Sequence, residues 1–192
     1  KRGRTPRPKG NRMSLLNKIK LAVLIILLVV VTGGALVGMN PEWTFSTIVA
    51  KIEDQYPVPQ ISTETLAAAM ESEEKENYIL FDTRLKEEHF TGHIQGSVRV
   101  DENMSTEEFM TAYADTIRGK NLVFYCSAGY RSSAFIDRVG EAATEAGAAS
   151  LANLTGGVFQ WFNDGRSVYD REGETDVVHP YGRVWTFLLK DR

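Results

Sequence analysis

One cysteine and one arginine set the chemistry this chain can do. Cys126 lies in "YCSAGYRSSA", residues 125–134, ahead of a glycine, Arg131 and two serines, and it is the only cysteine in 192 residues. A strand that stops at the thiol and a helix that starts near Ser132 would wrap "SAGYR" around the sulfur, with Gly129 free to take the positive φ that most residues avoid. The amides of Ser127, Ala128, Gly129, Tyr130, Arg131 and Ser132 would then point inward as an anion nest at a helix N-terminus. Such a nest, with the Arg131 cation beside it, stabilises thiolate over thiol and so makes a nucleophile. A buried cysteine with no chemistry has no use for a glycine-containing loop ending in arginine.

Spacing separates the nucleophilic readings. Only Ser127, Ala128, Gly129 and Tyr130 lie between Cys126 and Arg131. The signature of the protein tyrosine phosphatases, His-Cys-x5-Arg, needs one residue more, and Tyr125 stands where it has histidine. A loop one residue shorter offers a smaller cradle than a tetrahedral phosphoryl group requires, whereas a single sulfur atom carried on the cysteine needs less room.

The surrounding pattern supplies the elements that must hold this loop. "YILFD" (78–82), "NLVFYC" (121–126) and "SLANL" (150–154) read as short buried strands. Between them, "TEEFMTAYADTI" and "SSAFIDRVGEAATEAG" read as helices. Strands alternating with helices imply parallel pairing and an α/β sheet covered on both faces, with the ligand site beyond the carboxyl ends of the strands. Asp82 and Cys126 each close a strand and are expected at one edge. Ser62 reads as a helix N-cap for "STETLAAAMESEE", with Ile61 and Leu66 spaced for a hydrophobic staple. The tail "HPYGRVWTFLLKDR" places Val184, Trp185, Leu188 and Leu189 on one helix-like face, expected to pack on its own domain.

Charge and hydropathy divide the chain further. Residues 1–20 carry eight basic side chains and no acid, which leaves 14 basic against 25 acidic groups in the remainder. An acidic body excludes nucleic acid as a partner, so the basic head reads as a topology signal. From Leu21 to Met39 the chain runs 19 residues without a charge, near the roughly 20 that span a bilayer. The expected organisation is a basic cytoplasmic head (1–20), a transmembrane anchor or cleavable signal peptide (21–39), a proline-bearing juxtamembrane linker (40–60), a globular domain (61–170) and a tail (171–192). The positive-inside bias places that domain outside the cytoplasm, in a periplasm-like space. Lys1 is not a methionine, and Met13 offers an alternative start. A lone cysteine excludes an intramolecular disulfide. His89, His93 and His179 form no metal-ligand motif, so neither a metal nor another cofactor is expected.

Four blocks in order resemble the rhodanese (thiosulfate sulfurtransferase) family. "YILFDTR" is similar to its hydrophobic-Asp-x-Arg strand end, which marks Asp82 and Arg84. "EEHFTGHIQGSVRV" is similar to its Gly-His-Ile-Pro-Gly-Ala block, with Gln95 for proline and Ser97 for alanine. "CSAGYRSSAFIDRV" matches the catalytic loop, and "LTGGVFQWFNDGRSVY" the Leu-x-Gly-Gly-x-x-x-Trp ending with Gly156, Gly157 and Trp161. The resemblance implies a rhodanese-like three-layer fold and a persulfide cycle on Cys126. The thiolate takes a sulfane sulfur from a small anionic donor such as thiosulfate, and a thiol or cyanide-like acceptor removes it, with no cofactor. Arg131 would steer the donor, and the acceptor must be another molecule because no second cysteine exists. Asp82 and Arg84 would either orient the loop or only staple the sheet edge. His93 and Trp161 read as structural. A non-catalytic membrane-tethered module and a cysteine phosphatase or arsenate reductase are the alternatives.

Overall fold

The computed structural model describes residues 40–191. It opens on helix α1 (Pro41–Gln55), followed by strand β1 (Gln60–Ile61) and helix α2 (Thr63–Glu71). Ser62 caps α2 by accepting the Thr65 amide at 3.1 Å, and Leu66 beneath it is fully buried. A short 3-10 turn then leads into β2 (Tyr78–Asp82), α3 (Lys86–Thr91), β3 (Val98–Arg99) and α4 (Thr106–Tyr113). The chain continues through β4 (Asn121–Tyr125), α5 (Tyr130–Glu145), β5 (Ser150–Leu154) and α6 (Gly157–Asn163). It finishes with a hairpin, β6 (Val168–Tyr169) and β7 (Glu174–Thr175), and a 3-10 turn over Arg183–Leu188.

Five strands form one sheet in the order β1-β5-β4-β2-β3, every neighbouring pair parallel. Side chains of a strand alternate between faces, and the near-continuous apolar runs of β2 and β4 therefore fill two cores. On one face Leu80, Val123, Tyr125 and Leu154 pack with Leu66, Phe159 and Phe162. On the other, Phe81, Leu122 and Phe124 meet Phe109, Phe135 and Val139. Phe81 stacks on Phe124 at 5.0 Å between centroids, while Phe135 meets Phe109 edge-on at 5.5 Å. The result is the expected α/β fold with a central parallel sheet covered by helices. In its register Asp82 lies opposite Tyr125, so β2 and β4 end level and Thr83 and Cys126 leave the sheet together.

Several boundaries differ from the sequence reading. The stretch read as a linker, Asn40 to Gln60, holds α1, whose Phe45 and Ile52 are buried in the first core. Burial of this face explains the helix: Phe45, Ile48, Val49 and Ile52 recur at helical spacing. Strand β4 ends at Tyr125, one residue before the cysteine, and α5 begins at Tyr130, inside the loop. The domain does not close at residue 170, because β6 pairs with β7 across that point. His93 also bridges to Tyr169. The tail forms a 3-10 turn that buries Leu188 and packs Trp185 and Leu189 on the first core. The anchor expected over residues 21–39 lies outside the described residues. Among the described residues, no helix is long and apolar enough to cross a membrane.

Candidate functional site

The loop between β4 and α5 places Cys126 at the carboxyl edge of the sheet, only 2% exposed. Its Sγ accepts the Gly129 amide at 3.2 Å and lies at the N-terminus of the 16-residue α5. Unpaired amides of a first helical turn carry partial positive charge, and the sulfur sits beside them. Gly129 makes the turn at φ 109°, a conformation that costs glycine little and other residues more. Ser132, the first buried side chain of α5, donates to Asn153 Oδ1 at 2.6 Å and to the Gly129 carbonyl at 3.2 Å. Asn153 in turn donates to Gln60 at 2.8 Å. The loop is thereby tied to β5 and to the residue that opens β1.

Helix α6 holds the other side. The amides of Val158 and Phe159 donate to the carbonyls of Cys126 and Ser127 at 2.9 and 3.0 Å. These bonds tie the Cys126 and Ser127 carbonyls of the loop to the head of α6. The approach requires Gly157: a Cβ there would sit 2.4 Å from the Cys126 oxygen, and the residue has φ 58°. Gly157 is thus part of the loop's support, whereas a Cβ on Gly156 would meet Gln160 and Phe45.

Arg131 borders the site with its guanidinium already engaged by other side chains. Glu88 of α3 grips it with two bonds of 2.8 Å, and Ser127 Oγ accepts a third from its Nη2 at 3.1 Å. Glu102 lies 3.8 Å from Nε, and the Tyr181 ring lies 4.9 Å from the guanidinium carbon. Burial disfavours the Arg131 charge, but the bonds to Glu88 and the fields of Cys126, Glu88 and Glu102 outweigh it and raise its pKa. Burial likewise pushes the Glu88 carboxyl up, yet its partnership with Arg131 brings it below the usual carboxylate value. Glu88 also accepts the Leu85 amide at 3.0 Å, so it caps α3 while clamping the loop. Its partner lies 43 residues away in sequence, and no spacing announces the pair.

Asp82 and Arg84 stand behind this clamp without touching Arg131. Both are fully buried. Asp82 accepts Arg84 Nε and Nη2 at 2.9 and 2.6 Å and the His89 ring at 2.9 Å. A carboxylate only accepts, so His89 Nδ1 carries the proton. Arg84 Nη2 donates to the Gly92 carbonyl at 2.8 Å. Burial alone would raise the Asp82 pKa, but Arg84 and His89 hold it well below the usual carboxylate range. The pair fixes α3 at its middle and its end, and so fixes Glu88 next to His89. His93 is structural in contact: Nδ1 donates to the His89 carbonyl at 3.0 Å, and the two rings stack at 4.1 Å. Trp161 is buried and donates Nε1 to the Ser167 carbonyl at 2.9 Å.

Above the sulfur lies a cavity of about 300 Å³. The loop supplies its floor through Cys126, Ala128, Tyr130 and Arg131, and its walls come from Ile48 and Ile52 of α1 and from Tyr181 and Trp185 of the tail. Tyr130, largely exposed, meets Tyr56 edge-on at 5.4 Å at the rim. Sequence reasoning assigned Ser127, Ala128, Gly129, Tyr130, Arg131 and Ser132 to this site; Ser127, Ala128, Tyr130 and Arg131 line the cavity with Cys126, the Gly129 amide reaches its sulfur, and Ser132 instead ties the loop to Asn153. That reasoning placed neither Glu88 nor the four wall residues at this site. Among the described residues, no group of three or more His, Cys, Asp or Glu side chains could hold a metal ion.

Comparison with known proteins identifies the family and the fold. Residues 62–164 match the rhodanese-like domain family. A tRNA uridine(34) hydroxylase of Staphylococcus epidermidis is 26% identical over 116 residues, covering 59% of this chain and 32% of that protein; the chain thus spans about a third of that relative's length. Among solved structures, a thiosulfate sulfurtransferase from Pseudomonas aeruginosa superposes with a TM-score of 0.52 at 15% identity, over 73% of this chain and 25% of that one. The BH2092 protein from Bacillus halodurans gives 0.50 at 17%, over 70% and 89%. At these identities the structural likeness establishes the fold.

Proposed function

Because the chain belongs to the rhodanese-like domain family, we propose that it is a sulfurtransferase that carries sulfane sulfur as a persulfide on Cys126. The observation that carries this reading is the six-residue loop from Cys126 to Arg131, whose Gly129 amide donates to Sγ at 3.2 Å at the head of α5.

In the first half-reaction the Cys126 thiolate attacks the outer sulfur of a donor such as thiosulfate. The Cys126–S bond forms as the donor's S–S bond breaks, and the electron pair of that bond leaves with sulfite. In the second, a thiolate or cyanide attacks the outer sulfur of the persulfide and Cys126 departs as thiolate. Charge is conserved in each step and no cofactor enters. The terminal persulfide sulfur carries the negative charge, and the Gly129 amide and the N-terminus of α5 beside Sγ favour it. Phosphoryl transfer is disfavoured because Arg131, which would have to hold a phosphoryl group, is already gripped by Glu88. The basic head and the charge-free run at 21–39 support placing this chemistry outside the cytoplasm.

Substituting Cys126→Ser tests the reading. The change is nearly isosteric, so cyanide-dependent turnover of a sulfane donor should disappear while the thermal unfolding midpoint stays within a few degrees. Turnover near wild type in the variant would overturn the persulfide mechanism.

A further inference from the structure

The cavity over Cys126 is mismatched to a small dianion in both charge and polarity. Among the described residues, the cation at the loop is Arg131, and it faces two carboxylates, Glu88 in bidentate contact and Glu102 at 3.8 Å, together with the charge of the thiolate itself. The helix N-terminus contributes only about half a positive charge. With the nucleophile ionised, the site is therefore net negative, and a doubly charged donor is repelled more than a singly charged or neutral one. The guanidinium is also sheltered, since Tyr181 lies over it at 4.9 Å. The walls have the opposite character. Ile48, Ile52, Ala128, Trp185 and the ring of Tyr181 leave the lining almost wholly carbon.

A cavity of about 150 Å³ lined by apolar side chains holds a benzene ring. The space here, about 300 Å³, takes an aryl or short alkyl body together with the reacting sulfurs. All four wall residues lie outside the family-matched segment 62–164, so this feature is added to the family's core by α1 and the tail.

We propose, resting on the sulfurtransferase reading, that the donor is a sulfane-sulfur compound with an apolar organic body and at most one negative charge, selected by Ile48, Ile52, Tyr181 and Trp185. For an organic persulfide the step balances simply. The Cys126 thiolate attacks the outer sulfur of R–S–SH, the S–S bond breaks, R–S⁻ leaves, and a proton passing from the new persulfide to that thiolate gives R–SH. No oxidant or reductant is needed.

Three stable probes separate charge from body: thiosulfate, a dianion with no organic body; methanethiosulfonate, a monoanion with a methyl group; and benzenethiosulfonate, a monoanion with an aryl ring. Each delivers its outer sulfur to the thiolate and releases sulfite or a sulfinate. For the full chain, kcat/KM should rise along that series, with benzenethiosulfonate at least about tenfold above methanethiosulfonate from burial of the ring. Trp185→Ala should lower the aryl-to-methyl ratio by about threefold or more. Ile48→Ala, on the opposite wall, should lower it less. The wild-type ratio needs neither variant to fold. An aryl-to-methyl ratio near one, or thiosulfate as the fastest of the three donors that load Cys126, overturns the donor class and leaves the sulfurtransferase reading intact. Failure of all three to place sulfur on Cys126 overturns the sulfurtransferase reading and the donor class with it.

Discussion

The floor and the walls of this site are held by different physics. The floor, from Cys126 to Ser132, is fixed by directional bonds: Glu88 and Ser127 on Arg131, Asn153 on Ser132, and the amides of α6 on two carbonyls. The walls are fixed by packing, with Ile48, Ile52, Trp185 and Leu188 lying on the first core. Their polar contacts to the floor, Gln55 and Tyr56 with Tyr130, are long at 3.4 Å. A reaction that needs one sulfur at one place demands the first kind of support. Choice among donor bodies needs only shape and apolar area, which the second supplies and which can change without disturbing the nucleophile.

The contrast breaks most visibly behind the floor. Asp82→Asn removes the charge that balances the buried Arg84, and breaking a buried pair from one side costs about 3–5 kcal/mol. Chemical denaturation should report this loss, and every donor should lose activity together because α3 and Glu88 shift. A variant as stable as wild type would show that the network is ornamental to the loop.

A smaller effect is expected from Glu88→Gln, which keeps the side chain's shape and removes its charge. Losing charge-assisted bonds to Arg131 should cost about 1.5–3 kcal/mol. Arg131 then gains free positive charge, so thiosulfate should improve relative to methanethiosulfonate. Steady-state kinetics with the two donors reads the ratio, and no change in it would mean that Glu88 does not set the charge of the site.

Much of the floor is legible in the sequence. The near-continuous apolar runs in "YILFD" and "NLVFY" spell strands buried on two faces, Ser62 spells a cap, and the count from Cys126 to Arg131 spells a loop too short for the phosphatase signature. The clamp is not legible, because Glu88 and Arg131 meet only once β2 and β4 lie side by side, and one of two adjacent glutamates turns inward for reasons of fold alone. The walls are half legible. Phe45, Ile48, Val49 and Ile52 spell a helical face, but Pro41, Pro57 and Pro59 and the neighbouring charge-free run point to a spacer. Tyr181 and Trp185 reach the cavity through a turn that no local pattern specifies.

The smallest expected effect is the shallower of two windows in the pH dependence of stability. Burial, and then the neighbouring His89, lowers the His93 pKa, so the unfolded chain binds a proton there that the folded chain resists. That contribution is complete above about pH 6.5 and declines as pH falls below it. Asp82 and Glu88, both lowered, contribute stability that is present above about pH 4 and lost as pH falls through their folded values. Denaturation midpoints measured from pH 8 to 2 should show a shallow decline below about pH 6.5 and a steeper one below about pH 4. His93→Gln should remove the first and spare the second.

The central claim is that Cys126 carries sulfur, and intact mass reads it directly. The full chain, incubated with benzenethiosulfonate and separately with thiosulfate and no acceptor, should gain the mass of one sulfur atom with at least the first donor. Fragmentation should map the gain to Cys126, a thiol acceptor should remove it, and Cys126→Ser should never acquire it. A chain that gains no sulfur from either donor, or gains it equally in Cys126→Ser, would contradict the account.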